Sequence, residues 1–288
     1  MKALDLKERV ISALNEDAGF GDITTEILVG DERSKAKIVA EEVGVLAGIR
    51  EAKIIFEEMG LKVATKLKDG NKVERAGTTV MIIEGSAKAI LTCERTALNF
   101  LMRMSGIATA VGRSIEKARK ANPDIRIAVT RKTAPLLRYF DKRAAEIGGG
   151  DTHRFRLDDC VLIKDNHLVL VGDVETAVRI ARNKVSFSKK VEIEVQNIGD
   201  CLKAAKAGAD IVMLDNMTPD QIKQAVHELE DQGLRDRVIV EASGGITFEN
   251  VDEYAATGVD VLSMGSLTHS ARALSMKLEL MKTVSSDE

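Results

Sequence analysis

The sequence predicts an α/β protein whose second half is a parallel sheet built from repeated strand–helix units. Six short apolar runs carry that reading: residues 126–130, 161–163, 191–195, 211–214, 238–240 and 259–264. Amphipathic stretches of helical length separate most of them, the alternation of an α/β barrel. Each run also ends on a charged residue or a glycine: Arg131 and Lys132, Lys164, Glu194, Asp215, Glu241 with Ser243 and Gly244, and Gly265. Catalytic groups in such barrels sit at the C-terminal ends of the strands. Cations come first, carboxylates in the middle and glycine turns last. That order suits a highly anionic, phosphorylated substrate.

The first half reads as mixed structure. Residues 5–15 form a helical pattern with Leu6, Val10, Ile11 and Leu14 on one face, and 16–22 read as a loop leading to a short element from Asp22. Residues 36–40 alternate as a strand does, and 51–59 form a helix closed by Gly60. Turns at 69–71 and 76–77 punctuate short strands such as 80–83. A long helical pattern runs from Lys88 towards Lys120, with a break expected at Ser105-Gly106 and a domain junction in that stretch. Residues 268–283 read as a last helix. The expected division is 1–112 joined by a C-terminal helix at 267–288, with a barrel domain at 113–266.

Composition narrows the class. The 288 residues suffice for one large or two moderate domains, and 44% hydrophobic with 30% charged residues is a globular balance. A net charge of −3 gives no general nucleic-acid footprint. The charged start of the chain lacks an apolar signal core, and no stretch is long and apolar enough to span a bilayer, so a cytoplasmic protein is expected. Cys93, Cys160 and Cys201 are odd in number, with no paired spacing, and are expected to be reduced and buried.

Between Arg126 and His167 lie nine Arg or Lys against six Asp or Glu, with two of the four His. A solvated basic face is the ordinary explanation of such a cluster. Two features favour a site instead. Lys164 follows an apolar run, and the glycines 148–150 let backbone approach a ligand before His153 and Arg154. Glu194 and Asp215 end neighbouring strands, as helix caps, ion-pair partners, or holders of a substrate diol or Mg²⁺. Glu192 and Glu194 share a strand face, and two carboxylates in a core need cations or a metal. The turns at Ser243-Gly244 and Gly265 suit phosphate at the last two strands of a barrel. No HExxH, zinc spacing or GxSxG occurs, which leaves zinc and serine chemistry unsupported. His227 lies among polar helical residues and receives no role.

The stretches 16–25 (EDAGFGDITT), 94–101 (ERTALNFL), 105–109 (SGIAT), 130–133 (TRKT) and 148–154 (GGGDTHR) together resemble the quinolinate phosphoribosyltransferase family. So do 161–167 (VLIKDNH), 213–217 (MLDNM), 241–246 (EASGGI) and 268–270 (THS). The resemblance covers almost the whole chain. It implies an N-terminal α/β sandwich domain, an incomplete (open) barrel, and a homodimer or a hexamer of three dimers with shared sites. It implies quinolinate and phosphoribosyl pyrophosphate as substrates, with Mg²⁺, and nicotinate mononucleotide as product in NAD biosynthesis. Quinolinate would lie among Arg131, His153, Arg154 and Lys164, with Arg95 supplied by the neighbouring subunit. Lys132 and Lys164 would face the pyrophosphate, and Glu194 and Asp215 the ribose hydroxyls and Mg²⁺. Ser243, Gly244, Gly265 and His269 would cradle the 5′-phosphate. Ala134, Leu136, Met102, Asp151 and Thr152 depart from the family's usual residues, but none of them removes a charged ligand. The alternatives are a paralogue associated with molybdate transport and a non-catalytic phosphoribosyl-pyrophosphate binder.

Overall fold

The computed structural model describes residues 3–281. Its strands are β1 (Arg33–Ala40), β2 (Gly44–Val45), β3 (Lys62–Thr65), β4 (Lys72–Val73), β5 (Thr78–Ser86), β6 (Arg126–Ala128) and β7 (Val161–Ile163). They continue as β8 (Val191–Val195), β9 (Ile211–Asp215), β10 (Ile239–Ser243), β11 (Val261–Ser263) and β12 (Met276–Met281). The helices are α1 (Ala3–Ala18), α2 (Ile23–Leu28), α3 (Ile49–Glu58), α4 (Ala87–Ala118), α5 (Arg138–Ile147) and α6 (Asp165–Val171). After them come α7 (Val174–Lys184), α8 (Ile198–Lys206), α9 (Pro219–Asp231), α10 (Val251–Ala255) and α11 (Ser266–His269). Two compact units divide the described chain. One takes in residues up to Thr109 and from Ala271 onward, and the other runs from Ala110 to Ser270.

The first unit is an antiparallel sheet in the order β12-β1-β5-β3, with a separate β2-β4 ribbon. Helix α1 buries Leu6, Val10 and Leu14 and lies against α3, whose Ile55 and Phe56 are also buried. Each such side chain contributes about 1.5–3 kcal/mol through its removal from water. Asp22 caps α2 by accepting the Thr25 N–H.

Two expectations fail here. Helix α4 runs through Ser105-Gly106 without a break. Those small residues serve close approach instead: Ser105 Oγ exchanges hydrogen bonds with the backbone of Ala47, and a Cβ on Gly106 would stand 2.1 Å from the Arg272 carbonyl oxygen. The last helix, placed at 267–288, is also corrected. Among its described residues only Ser266–His269 is helical, and Met276–Met281 forms a strand paired with β1 from Ala40 back to Lys35. Residues 276–281 alternate with period two as well as suiting a helix. The free edge of β1 supplies the hydrogen-bond partners that decide between them. The remainder of the expected helix, 282–288, lies outside the described residues.

In the second unit all six apolar runs become strands of one parallel sheet, ordered β6-β11-β10-β9-β8-β7. Val212, Leu214, Val240, Ala242 and Leu262 are fully buried, as expected of strands covered on both faces. The register sets Asp215 beside Ser243 and Ser243 beside Ser263, so three polar residues finish level on adjacent strands. First strand β6 adjoins last strand β11, while β7 ends the opposite edge, which leaves the barrel open between β6 and β7. At the free edge of β6 an isolated bridge joins Ala128 to Asp151. β10 extends beyond the expected 238–240, so Glu241 lies within the strand and is buried.

Candidate active site

At the C-terminal ends of the parallel strands opens a cavity of about 500 Å³, within the usual range for small-ligand sites. Thr130, Arg131, Lys132, His153, Arg154, Lys164, Glu194, Asp215, Ser243 and Gly244 line it, joined by Leu162, Met213, Asn216, Gly245 and Ser263. Nine of the sequence-derived candidates therefore meet in one place.

Short connections position the cations. Arg131 and Lys132 follow β6, and Thr268 Oγ1 donates to the Lys132 carbonyl at 2.8 Å, tying that loop to α11. The Arg131 Nε is buried without a hydrogen-bond partner among the described residues. An orphaned guanidinium donor is costly, and an anionic ligand would satisfy it. His153 and Arg154 enter through the Asp151 bridge: the Asp151 N–H donates to Ile127 O at 2.8 Å, and its carbonyl accepts the Val129 N–H at 3.0 Å. Lys164, at the end of β7, forms an ion pair with Glu194 at the end of β8. Of the readings open for Glu194, the ion pair is therefore present. On the next strand, Asp215 Oδ2 accepts from Asn216 Nδ2 at 2.7 Å.

Gly244 has φ +90°, and a Cβ there would stand 2.3 Å from Asn216 Oδ1 and 2.8 Å from Asn216 N. Only glycine fits this turn. Gly265 and His269 border the cavity without lining it. A Cβ on Gly265 would approach Lys132 Cδ at 3.0 Å and His269 Nε2 at 3.3 Å, so the three lie together. Arg95 is exposed on α4 of the first unit and is not among the lining residues.

Sequence reasoning missed what lies beneath His153. Its Nε2 is 3.3 Å from Glu192 Oε1 and 3.5 Å from Glu241 Oε2, and both carboxylates are buried. Glu241 also accepts from Ser263 Oγ. Burial alone would lower the His153 pKa, but the two glutamates outweigh it and push the ring up to about 10. The Arg154 N–H donates to Nδ1 at 2.7 Å, which favours the neutral ring. Two buried carboxylates prevail over one neutral hydrogen bond worth about 1 kcal/mol. Burial, reinforced by the charge of Glu241, holds the Glu192 carboxyl above the ordinary range, although His153 pulls it down. The donor atoms of His153, Glu192 and Glu241 lie within 4.8 Å of one another, a spacing suited to a metal ion. With its pKa raised, the imidazole itself can carry positive charge in that position. The sequence held half the signal, since Glu192 shares a strand face with Glu194. Glu241 escaped because β10 outlasts its apolar run.

Cys93 and Cys201 are free and buried as expected, while Cys160, also expected to be buried, is only half-buried. His227 is exposed on α9 beside Asp231. Among the described residues no helix is long and apolar enough to cross a membrane.

An open parallel barrel with cations, carboxylates and glycine turns at its strand ends defines an enzyme-like site for a phosphorylated, acidic substrate. Residues 22–105 match the N-terminal domain of quinolinate phosphoribosyl transferase and residues 107–279 its C-terminal domain. The chain belongs to that family. A probable nicotinate-nucleotide pyrophosphorylase (carboxylating) of Methanothermobacter thermautotrophicus is 51% identical over 278 residues, covering 96% of this chain and 98% of the relative. The human nicotinate-nucleotide pyrophosphorylase (carboxylating) is 40% identical, over 88% of this chain and 84% of its own length. The solved structure of the nicotinate-nucleotide pyrophosphorylase from Francisella tularensis superposes with a TM-score of 0.90 at 33% identity, covering 98% of both chains.

Proposed function

We propose that this protein transfers the phosphoribosyl group of phosphoribosyl pyrophosphate to quinolinate, releasing pyrophosphate and carbon dioxide and forming nicotinate mononucleotide. The observation that carries the reading is the buried, unpartnered Arg131 Nε in a cavity it shares with Lys132, His153, Arg154 and Lys164. The names of the relatives support it. Arg131, His153, Arg154 and Lys164 take the two carboxylates, which charge-assisted donors recognise well. Lys132 and Lys164 face the pyrophosphate. Glu194 and Asp215 hold the ribose hydroxyls. Ser243, Gly244, Gly265 and His269 receive the 5′-phosphate. Arg95 completes the site of a neighbouring subunit in a homodimer or a hexamer of three dimers.

The chemistry follows from charge. The pyridine nitrogen bonds to ribose C1 as the C1–O bond to pyrophosphate breaks, and the electron pair leaves with pyrophosphate. Positive charge develops on the ribose beside Glu194 and Asp215, while cations meet the leaving group. The quaternised nitrogen then accepts the electron density released as the C2–carboxylate bond breaks, and C2 takes up a proton. The protein mainly positions and neutralises the reactants. Glu194 and Asp215 also fit Mg²⁺. They are hard oxygen donors on adjacent strands, and Mg²⁺ takes one or two carboxylates together with substrate oxygens and water. When bound, the ion neutralises charge on the pyrophosphate.

The test is incubation of the purified protein with quinolinate, phosphoribosyl pyrophosphate and Mg²⁺, measuring pyrophosphate and carbon dioxide. Stoichiometric release of both is expected. Binding without release of either would make the protein a binder and overturn the reading.

A further inference from the structure

Lys142, in the middle of α5, is fully buried, yet no carboxylate lies within ion-pair distance of it among the described residues. Its ammonium donates instead to two carbonyl oxygens, those of Thr152 and, at 2.8 Å, Arg154. The Phe155 ring centroid lies 5.4 Å from Nζ. These carbonyls flank His153, which has a φ of +50°, a left-handed conformation uncommon for a residue with a Cβ. A local tie at the same bend runs from the His153 N–H to Asp151 Oδ1 at 2.7 Å. It satisfies no carbonyl.

We propose that Lys142 is a positioning residue, whose buried ammonium clamps the two carbonyls around His153 and so presents His153 and Arg154 to the cavity. Burying an ammonium among neutral partners is costly, and helix packing alone would be served by leucine or methionine. Burial, followed by the nearby charge of Arg138, lowers Lys142 to about 8, a second sign that the charge is held there at a cost. Without the cation, two carbonyl oxygens would converge unsatisfied, and the left-handed bend would lose what holds it. Lys142 does not line the cavity and acts only through its neighbours.

The proposal rests on the quinolinate reading, so its test has one readout of activity and one of structure. Lys142→Met keeps the volume and removes the charge. Its KM for quinolinate should rise at least about tenfold, with the KM for phosphoribosyl pyrophosphate within about twofold of wild type. Its crystal structure should show residues 152–154 leaving the left-handed bend. Should that variant not fold, Lys142→Gln is read in the same way. An unchanged bend, or equal losses for both substrates, would overturn the clamp. A wild-type protein inactive on quinolinate would overturn the functional reading alone, since the backbone comparison still decides the role of Lys142.

Discussion

Replacing Arg131 with methionine should separate stability from activity. In the ligand-free protein Arg131 Nε is a buried donor with no acceptor. Removing such a group relieves about 1–3 kcal/mol of desolvation cost, and methionine retains most of the packing of the arginine stem. The ligand-free variant should therefore match or exceed wild-type stability in urea unfolding. With substrate the balance reverses. A carboxylate deprived of a charge-assisted partner in a desolvated site loses about 2–5 kcal/mol, which is roughly a thirtyfold to several-thousandfold fall in kcat/KM for quinolinate. Ligand stabilisation supplies an independent measure. Quinolinate at about 100 times its Kd should stabilise wild type by about 2.7 kcal/mol, and the same concentration should stabilise the variant far less. A variant with kcat/KM within about threefold of wild type, or one that loses more than about 2 kcal/mol without ligand, would refute the assignment of Arg131 to an anion.

Three further outcomes are expected. Gly244→Ala should lose about 1–3 kcal/mol of stability through its positive φ and its clash with Asn216. It should also raise the KM for phosphoribosyl pyrophosphate, and a variant normal in both would remove this turn from the phosphate site. Against a burial that lowers it, Glu192 and Glu241 raise His153 to about 10 from the usual 6.5. The charged ring thus contributes stability that is complete below pH 6.5 and drains as pH climbs through 10; His153→Gln should lack this decline in urea midpoints, and an identical decline would exclude the ring as its source. Arg95→Ala and Lys132→Ala should each be inactive. Mixed in equal amounts with subunit exchange verified by mass spectrometry, they should recover roughly a quarter of wild-type activity, because half the dimers are hybrids with one intact site; no recovery from proven hybrids would refute the shared site.

The sequence by itself determined the six parallel strands and the chemistry gathered at their ends. Apolar runs flanked by amphipathic helices have one economical arrangement, and a barrel brings its strand ends together. Arg131, Lys132, Lys164, Glu194 and Asp215 were legible for that reason. Only the tertiary structure decided matters that depend on contacts between distant segments. The segment 276–281 suits helix or strand until the open edge of β1 offers it a hydrogen-bond ladder. Gly106 resembles a helix break until the Arg272 carbonyl is found where its side chain would stand. Glu241 and Lys142 carry no local mark of their roles. One is set beneath His153 by a strand longer than its apolar run, and the other reaches two carbonyls that the bend at His153 turns towards it. Hydrophobic periodicity records which face of an element is buried. It does not record which polar group waits on the other side.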